Sequence, residues 1–192
     1  MRMRLLIGLG LALVVVIALV VFPWRGRELG QPSRPGESPR VTGKPVPGAD
    51  GIGDPYFPQA GNGGYDVIGY DIQLRYDPDT DRLEGRTTIT ARTTQELSRF
   101  NLDLQLATTA VEVDGRPAAI RQDDGELEVT PAEAVAADQQ ITVRVDYAGV
   151  PSDIPGGADV AEPWVRTADG AVAVGQPDNA AWWYPSNDHP SD

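Results

Sequence analysis

The side chains best suited to chemistry gather in one short stretch, "AWWYPSNDHPSD", residues 181–192 of a 192-residue sequence. The only histidine, His189, stands there between Asp188 and Asp192. One imidazole and two carboxylates form a conceivable metal site. Spacing alone is thin support, and a solvated or capping role explains these residues better. A zinc hydrolase of the H-E-x-x-H kind needs two histidines one helical turn apart and a carboxylate base, which a single histidine cannot supply. Serine-based catalysis would have to recruit His189 from a position that nothing in the sequence holds rigid, and there is no cysteine to act as nucleophile. No Gly-x-Ser-x-Gly, Walker or dinucleotide glycine pattern occurs. "GNGGYD" precedes a strand rather than a helix, offers a phosphate no helix dipole, and reads as a turn. The 28 acidic residues include many pairs for glycoside chemistry, but no two stand out from a solvated sheet face. From its own residues alone, the chain shows no recognisable active site.

The elements around these residues fall into three zones. Leu5 to Phe22 is an unbroken apolar run of 18 residues, flanked by Arg2 and Arg4 before it and Arg25 and Arg27 after it. As a helix it would extend ~27 Å, close to the ~30 Å hydrocarbon core of a bilayer. Trp24 sits where an interfacial aromatic anchors such a helix. Residues 1–27 are therefore expected to be a membrane anchor, placing the rest of the chain outside the cell. The alternative is a signal segment that is cleaved on secretion, although no small-x-small cleavage site is present.

Glu28 to Gly64 comes next, with seven prolines and nine glycines in 37 positions, too few apolar groups to build a core. Residues 28–53 read as a disordered Pro/Gly-rich linker, a stalk between the anchor and a folded domain. Tyr56 and Phe57 are too apolar for a free linker and are expected to dock on that domain.

From Tyr65 onward the pattern has a period of two. Ile68, Tyr70, Ile72, Leu74 and Tyr76 share one face; Leu83, Gly85, Thr87, Ile89 and Ala91 the next; then Phe100, Leu102, Leu104 and Leu106; then Ile141, Val143, Val145 and Tyr147. "DPDTD" turns the chain, and Asp114-Gly115, Asp124-Gly125 and Asp169-Gly170 are hairpin signals. "PAEAVAA" is the only helical candidate. The fold class is all-β, an antiparallel β-sandwich or curved double sheet.

Charge excludes one class of partner. Residues 1–44 carry seven basic and two acidic side chains, and residues 45–192 carry nine and 26, a net of −17. So acidic a surface repels phosphate backbones, and nucleic acid is not an expected partner.

Taken in order, "DPYFPQAGNGGYDVIGYDIQLRYDPDTDRLEGRTTITA", "FNLDLQL", "VEVDGRPA", "ELEVTP" and "VRVDYAGVP" resemble the N-terminal β-domain of the aminopeptidase N family of zinc metallopeptidases, the gluzincins. "DGAVAVGQPDNAAWWYPSNDHPSD" is similar to that family's junction segment, in which a Gln or Glu precedes an aromatic-Pro-x-x-Asp-x-Pro stretch. The resemblance spans roughly residues 54–192. It implies a β-domain over 54–176 and a junction over 177–192, truncated before a catalytic domain. That domain would hold the Gly-Ala-Met-Glu-Asn strand, the H-E-x-x-H helix and the zinc, so no catalytic residue and no metal ligand is expected in this chain. By the same resemblance Gln176 falls where the family places the acceptor for the substrate's free α-ammonium. Trp182, Trp183 and Tyr184 would pack against the missing domain, unless they close the β-domain's own core. Gly69 and Ser186 depart from the family, which often has histidine and cysteine there.

The expected function is thus that of a non-catalytic N-terminal domain of a membrane-tethered, exported zinc aminopeptidase, peptide being a substrate only of the complete enzyme. Two alternatives stand beside it: a stand-alone extracellular β-sandwich that binds or scaffolds, and a split enzyme whose catalytic domain is a separate chain.

Overall fold

The computed structural model describes residues 42–58, 60–154, 163–174 and 179–189. The expected anchor over 1–27, and the linker as far as residue 41, lie outside them. Among the described residues no helix is long and apolar enough to cross a membrane.

In chain order the strands are β1 (Val46–Pro47), β2 (Tyr65–Asp77), β3 (Arg82–Thr93), β4 (Leu97–Asp103), β5 (Ala107–Val113) and β6 (Arg116–Pro117). They continue as β7 (Ala119–Asp123), β8 (Glu126–Thr130), β9 (Gln140–Gly149), β10 (Trp164–Arg166) and β11 (Ala171–Ala173). One sheet has the order β2-β3-β9-β5-β6 and a second has β1-β4-β8-β7, while β10 and β11 form a separate hairpin. All pairings are antiparallel except β1 with β4. The described residues are all-β, and apart from that one pair their sheets are antiparallel, in keeping with the expected fold class.

The alternation places the core. Leu83, Ile89 and Ala91 of β3, Ile141, Val143, Val145 and Tyr147 of β9, and Val111 and Val113 of β5 are buried on one sheet. They join one cluster with Leu97, Phe100 and Leu102 of β4 and Leu127 and Val129 of β8 on the other. Burying each such side chain contributes roughly 1.5–3 kcal/mol, so a single shared core accounts for the pairing of the sheets. The Asp-Gly hairpins form as their sequences dictate. Asp114 and Gly115 have φ of 50° and 73°, and Asp124 and Gly125 have 46° and 84°, left-handed at both central positions as a two-residue turn demands. Asp169-Gly170 lies in the β10–β11 loop, where the Thr167 N–H donates to the Gly170 carbonyl at 2.9 Å.

Five expectations change. In β2 the register against β3 shifts between Val67 and Gly69, so the strand bulges there. The bulge expels Ile68, which is 57% exposed, and brings Tyr65 and Val67 inward in its place. Leu74 keeps its register opposite Gly85 yet is 45% exposed, because β2 is an edge strand without an outer neighbour in its sheet. The described part of the expected linker, residues 42–53, is not free. Val46–Pro47 pairs with β4, the Gly48 N–H donates to the Arg99 carbonyl at 2.8 Å, and the Glu96 carboxylate accepts from the amides of Thr42 and Gly43. Of the two aromatics expected to dock, Phe57 meets the His189 ring edge-on at 6.3 Å, whereas Tyr56 is 86% exposed. "PAEAVAA" forms no helix; Val135 and Leu97 instead exchange backbone bonds of 2.9 Å.

Gly85 is where the core tolerates nothing larger. A Cβ there would lie 2.1–2.4 Å from two ring carbons and the hydroxyl oxygen of Tyr147. The Tyr147 hydroxyl sits 3.2 Å from Thr87 Oγ1 beside it, and burial pushes the phenol up to about 12. Gly85→Ala is expected to lower unfolding stability by about 2 kcal/mol in urea titration, as overpacking does. Tyr147→Leu in the same chain should recover part of that loss. An unaltered midpoint for Gly85→Ala would refute this account of the contact.

Candidate functional site

The residues around His189 do not fray, because residues 179–189 fold back on β4. A 3-10 turn at Ala180–Trp182 starts the return, and the Gln105 amide donates to the Ala181 carbonyl at 2.8 Å. Asp103 and Ser186 then exchange backbone bonds of 2.8 and 3.0 Å, a β-bridge that adds one rung to β4. The Gly61 amide donates to the Asp188 carbonyl at 2.9 Å, and the Asn187 amide to the Tyr70 hydroxyl at 3.0 Å. The glycine turn "GNGGYD" is what allows this approach, since a Cβ at Gly61 would meet the His189 Cβ at 3.0 Å and Gly61 has φ +71°.

Asp103 is the polar centre of the return. Its Oδ2 accepts from the Asp188 amide at 2.7 Å and from Asn62 Nδ2 at 3.0 Å, while Asp188 Oδ2 accepts from the Ala181 amide at 3.1 Å. Burial pushes the Asp103 carboxyl up; the Asp188 amide pulls it down, and the charges of Glu126 and Asp188 add to the rise, which reaches about 7. Burial also raises Glu126, Asp103's cross-strand partner in β8. These groups open on a cleft of about 590 Å³ whose acidic lining comprises Asp50, Asp103, Asp123, Asp124, Glu126 and Asp188. Trp182, Tyr56 and Phe57 supply its aromatic lining.

A fully buried carboxylate holds the β2–β3 hairpin. Asp81, 1% exposed, closes the β2–β3 turn with φ 55°. It accepts from the Tyr76 hydroxyl at 2.6 Å, Trp164 Nε1 at 3.0 Å and the Ser152 amide at 3.2 Å, with Arg166 Nε 3.6 Å away. Burial pushes its carboxyl up, but the bonds from Ser152, Tyr76 and Trp164 outweigh burial and hold it below the ordinary range.

These placements decide some of the expectations. Gln176 lies outside the described residues, as does Asp192. Asp188 caps the 3-10 turn, and His189 is 8% exposed with Nε2 3.6 Å from Asp54 Oδ2, so the position that looked unsupported is fixed. Among the described residues there is no group of three His, Cys, Asp or Glu side chains that could hold a metal ion. Trp183 and Tyr184 pack on the core while each stays half-buried, and Tyr184 meets Tyr70 edge-on at 5.5 Å. Trp182 is also half-buried and faces the cleft. Asp81 and Asp103 were not singled out by the sequence. The one signal for Asp103 is a carboxylate inside "NLDLQL", between two buried leucines. Asp81 sits with two other aspartates, Asp77 and Asp79, in its turn region with nothing to mark it.

No protein-family model and no curated protein matches the chain. Solved structures do match. An M1 zinc metallopeptidase from Deinococcus radiodurans is 31% identical with a TM-score of 0.66, over 74% of this chain and 33% of its own. A two-domain M1 zinc metallopeptidase variant bound to L-arginine gives the same identity, TM-score and shares. A Deinococcus radiodurans M1 variant bound to a Tyr-Ser-Ala substrate is 29% identical with a TM-score of 0.65, again over 74% and 33%. The chain spans about one third of the length of these structures.

The Asp81 cluster has a definite pH signature. A carboxyl held below its ordinary value of 3.8 contributes stability above that pH and loses it as pH falls through the depressed value. Asp81→Asn should cost about 2–3 kcal/mol at pH 7, where charge-assisted bonds are lost, and progressively less toward pH 3. Urea titrations at both pH values check this. A difference between the two chains that stays constant with pH would contradict it.

Proposed function

We propose that this β-domain, an N-terminal domain of the M1 zinc metallopeptidase family, forms the non-catalytic wall of an aminopeptidase cleft whose zinc and hydrolytic residues belong to a separate catalytic domain. The observation that carries this reading is agreement in fold and sequence over 74% of this chain against 33% of the Deinococcus radiodurans enzyme. The single histidine supports it, since the hydrolytic helix needs two. In this reading Gln176 accepts a hydrogen bond from the free α-ammonium of a peptide. A glutamine can make that bond but supplies no ion pair, so part of any preference for an amine rests on other acceptors. Trp182, Trp183 and Tyr184 turn their uncovered area to the catalytic domain, consistent with half-buried aromatics at a seam. Residues 5–22 tether the chain to the cell membrane with the β-domain outside, or are removed on secretion.

A self-contained extracellular binding module is the second reading. One observation favours it: residues 179–189 close on the domain's own β4 through backbone bonds rather than standing away from it.

A chimera separates the two. The purified chain with zinc should release no product from aminoacyl anilides. Joined to the catalytic portion of the Deinococcus radiodurans enzyme, it should hydrolyse them, and Gln176→Ala in that chimera should raise KM about tenfold while changing kcat less. A folded, zinc-loaded chimera without activity would favour the binding module. Turnover by the chain alone would overturn the non-catalytic reading.

A further inference from the structure

We propose that Asp103 operates a pH-dependent latch: uncharged, it holds residues 179–189 against β4, and its ionisation loosens them.

The geometry supplies both the hold and the strain. Asp103 Oδ2 receives the Asp188 amide at 2.7 Å and Asn62 Nδ2 at 3.0 Å, so one carboxyl joins β4, the 60–64 turn and the returning segment. Every acidic neighbour opposes its charge. Glu126 faces it across the β4–β8 pair, and Asp188 faces it from the segment it holds. Asp50, Asp123 and Asp124 line the same cleft, and the Tyr56 phenol lines it too. The cleft's lining includes no lysine or arginine among the described residues. The adjacent basic group, His189, has its Nε2 3.6 Å from Asp54. Tyr184, packed beside Asp188, is itself raised, by burial first and by the Asp188 charge second.

Two donors favour an ionised Asp103, whereas burial and the facing carboxylates favour the neutral acid. The second set prevails and places titration at about 7. Opening the segment brings the partly buried carboxyl fully into water, where its ordinary value is 3.8. A carboxyl raised in the closed form gives its full stabilisation below that ordinary value and loses it as pH climbs through the raised one. The open-to-closed ratio therefore grows across this window and levels off above it. Linkage over the two values gives about a tenfold rise between pH 6 and pH 8.

Amide hydrogen exchange followed by NMR on the purified full chain, corrected for intrinsic rates, reads this directly. Protection at the Ser186 and Asp188 amides should fall about tenfold from pH 6 to pH 8. In Asp103→Asn, which keeps an acceptor for the Asp188 amide, protection should stay flat. In Glu126→Gln, which removes one of the facing charges, the fall should level off at lower pH, leaving a smaller fall between pH 6 and pH 8. The carboxyl carbon of Asp103 should titrate near neutrality in the unaltered chain. Flat protection in the unaltered chain, an equal fall in Asp103→Asn, or an Asp103 carboxyl that titrates near 4 would each overturn the latch. Should Asp103→Asn fail to fold, the carboxyl titration and Glu126→Gln decide the matter between them.

Discussion

A backbone amide that leaves a sheet still needs an acceptor, and in this domain two carboxylates, the buried Asp81 and the partly buried Asp103, each take one such amide together with side-chain donors. The sheets satisfy their own ladders, so the shared apolar core explains why the strands associate. It does not explain why the irregular stretches between and after them stay in place. Asp81 gathers a tyrosine, a tryptophan and a backbone amide from three separate segments, and that gathering sets the β10–β11 hairpin against the main sheet. Asp103 does the corresponding work for residues 179–189. The two sites reach opposite electrostatic outcomes: Asp81 is fully buried, whereas Asp103 is partly buried at the wall of a cleft. Donors surround Asp81 and favour its charge; Asp103 has fewer donors and acids for neighbours, and keeps its proton up to near neutrality.

This division between local pattern and distant partner governs how much was legible in the sequence. Phe100, Leu102, Leu104 and Leu106, and the alternating residues of β3 and β9, reveal their burial because period-two patterning is a local property. The Asp-Gly turns are legible for the same reason, since left-handed φ at both central positions selects those residues. Ile68 misled because a bulge depends on how two strands pair, and a single strand's alternation carries no trace of it. The stretch before Asp54 misled because proline and glycine content reports a missing core, whereas Val46–Pro47 is held by β4 and needs none. The carboxylates at Asp81 and Asp103 were hidden among many acids. Their partners lie tens of residues away, as Trp164 does from Asp81 and Asp188 from Asp103.

The family resemblance and the half-buried aromatics bear on each other. Trp183 and Tyr184 contribute to the domain's own core and still offer area outward. A side chain that serves two surfaces suits a seam, where one domain must fold before its neighbour docks. The reciprocal backbone bonds between Asp103 and Ser186 set the path of the segment that carries these rings. The position of the aromatics is thus set by strand pairing and not by their own packing alone.

The margins of the sheets carry a further consequence. The four-stranded sheet ends on a strand of two residues, one of them Pro47, whose nitrogen has no hydrogen to donate. The longest margin of the other sheet, β2, is interrupted at Ile68 and carries Asp66, Asp71 and Arg75 exposed along it. A second molecule approaching along β1 would find a missing donor, and one approaching along β2 a kinked, charged border. Those two margins are thereby poor templates for strand-by-strand polymerisation, even where apolar side chains stand uncovered beside them.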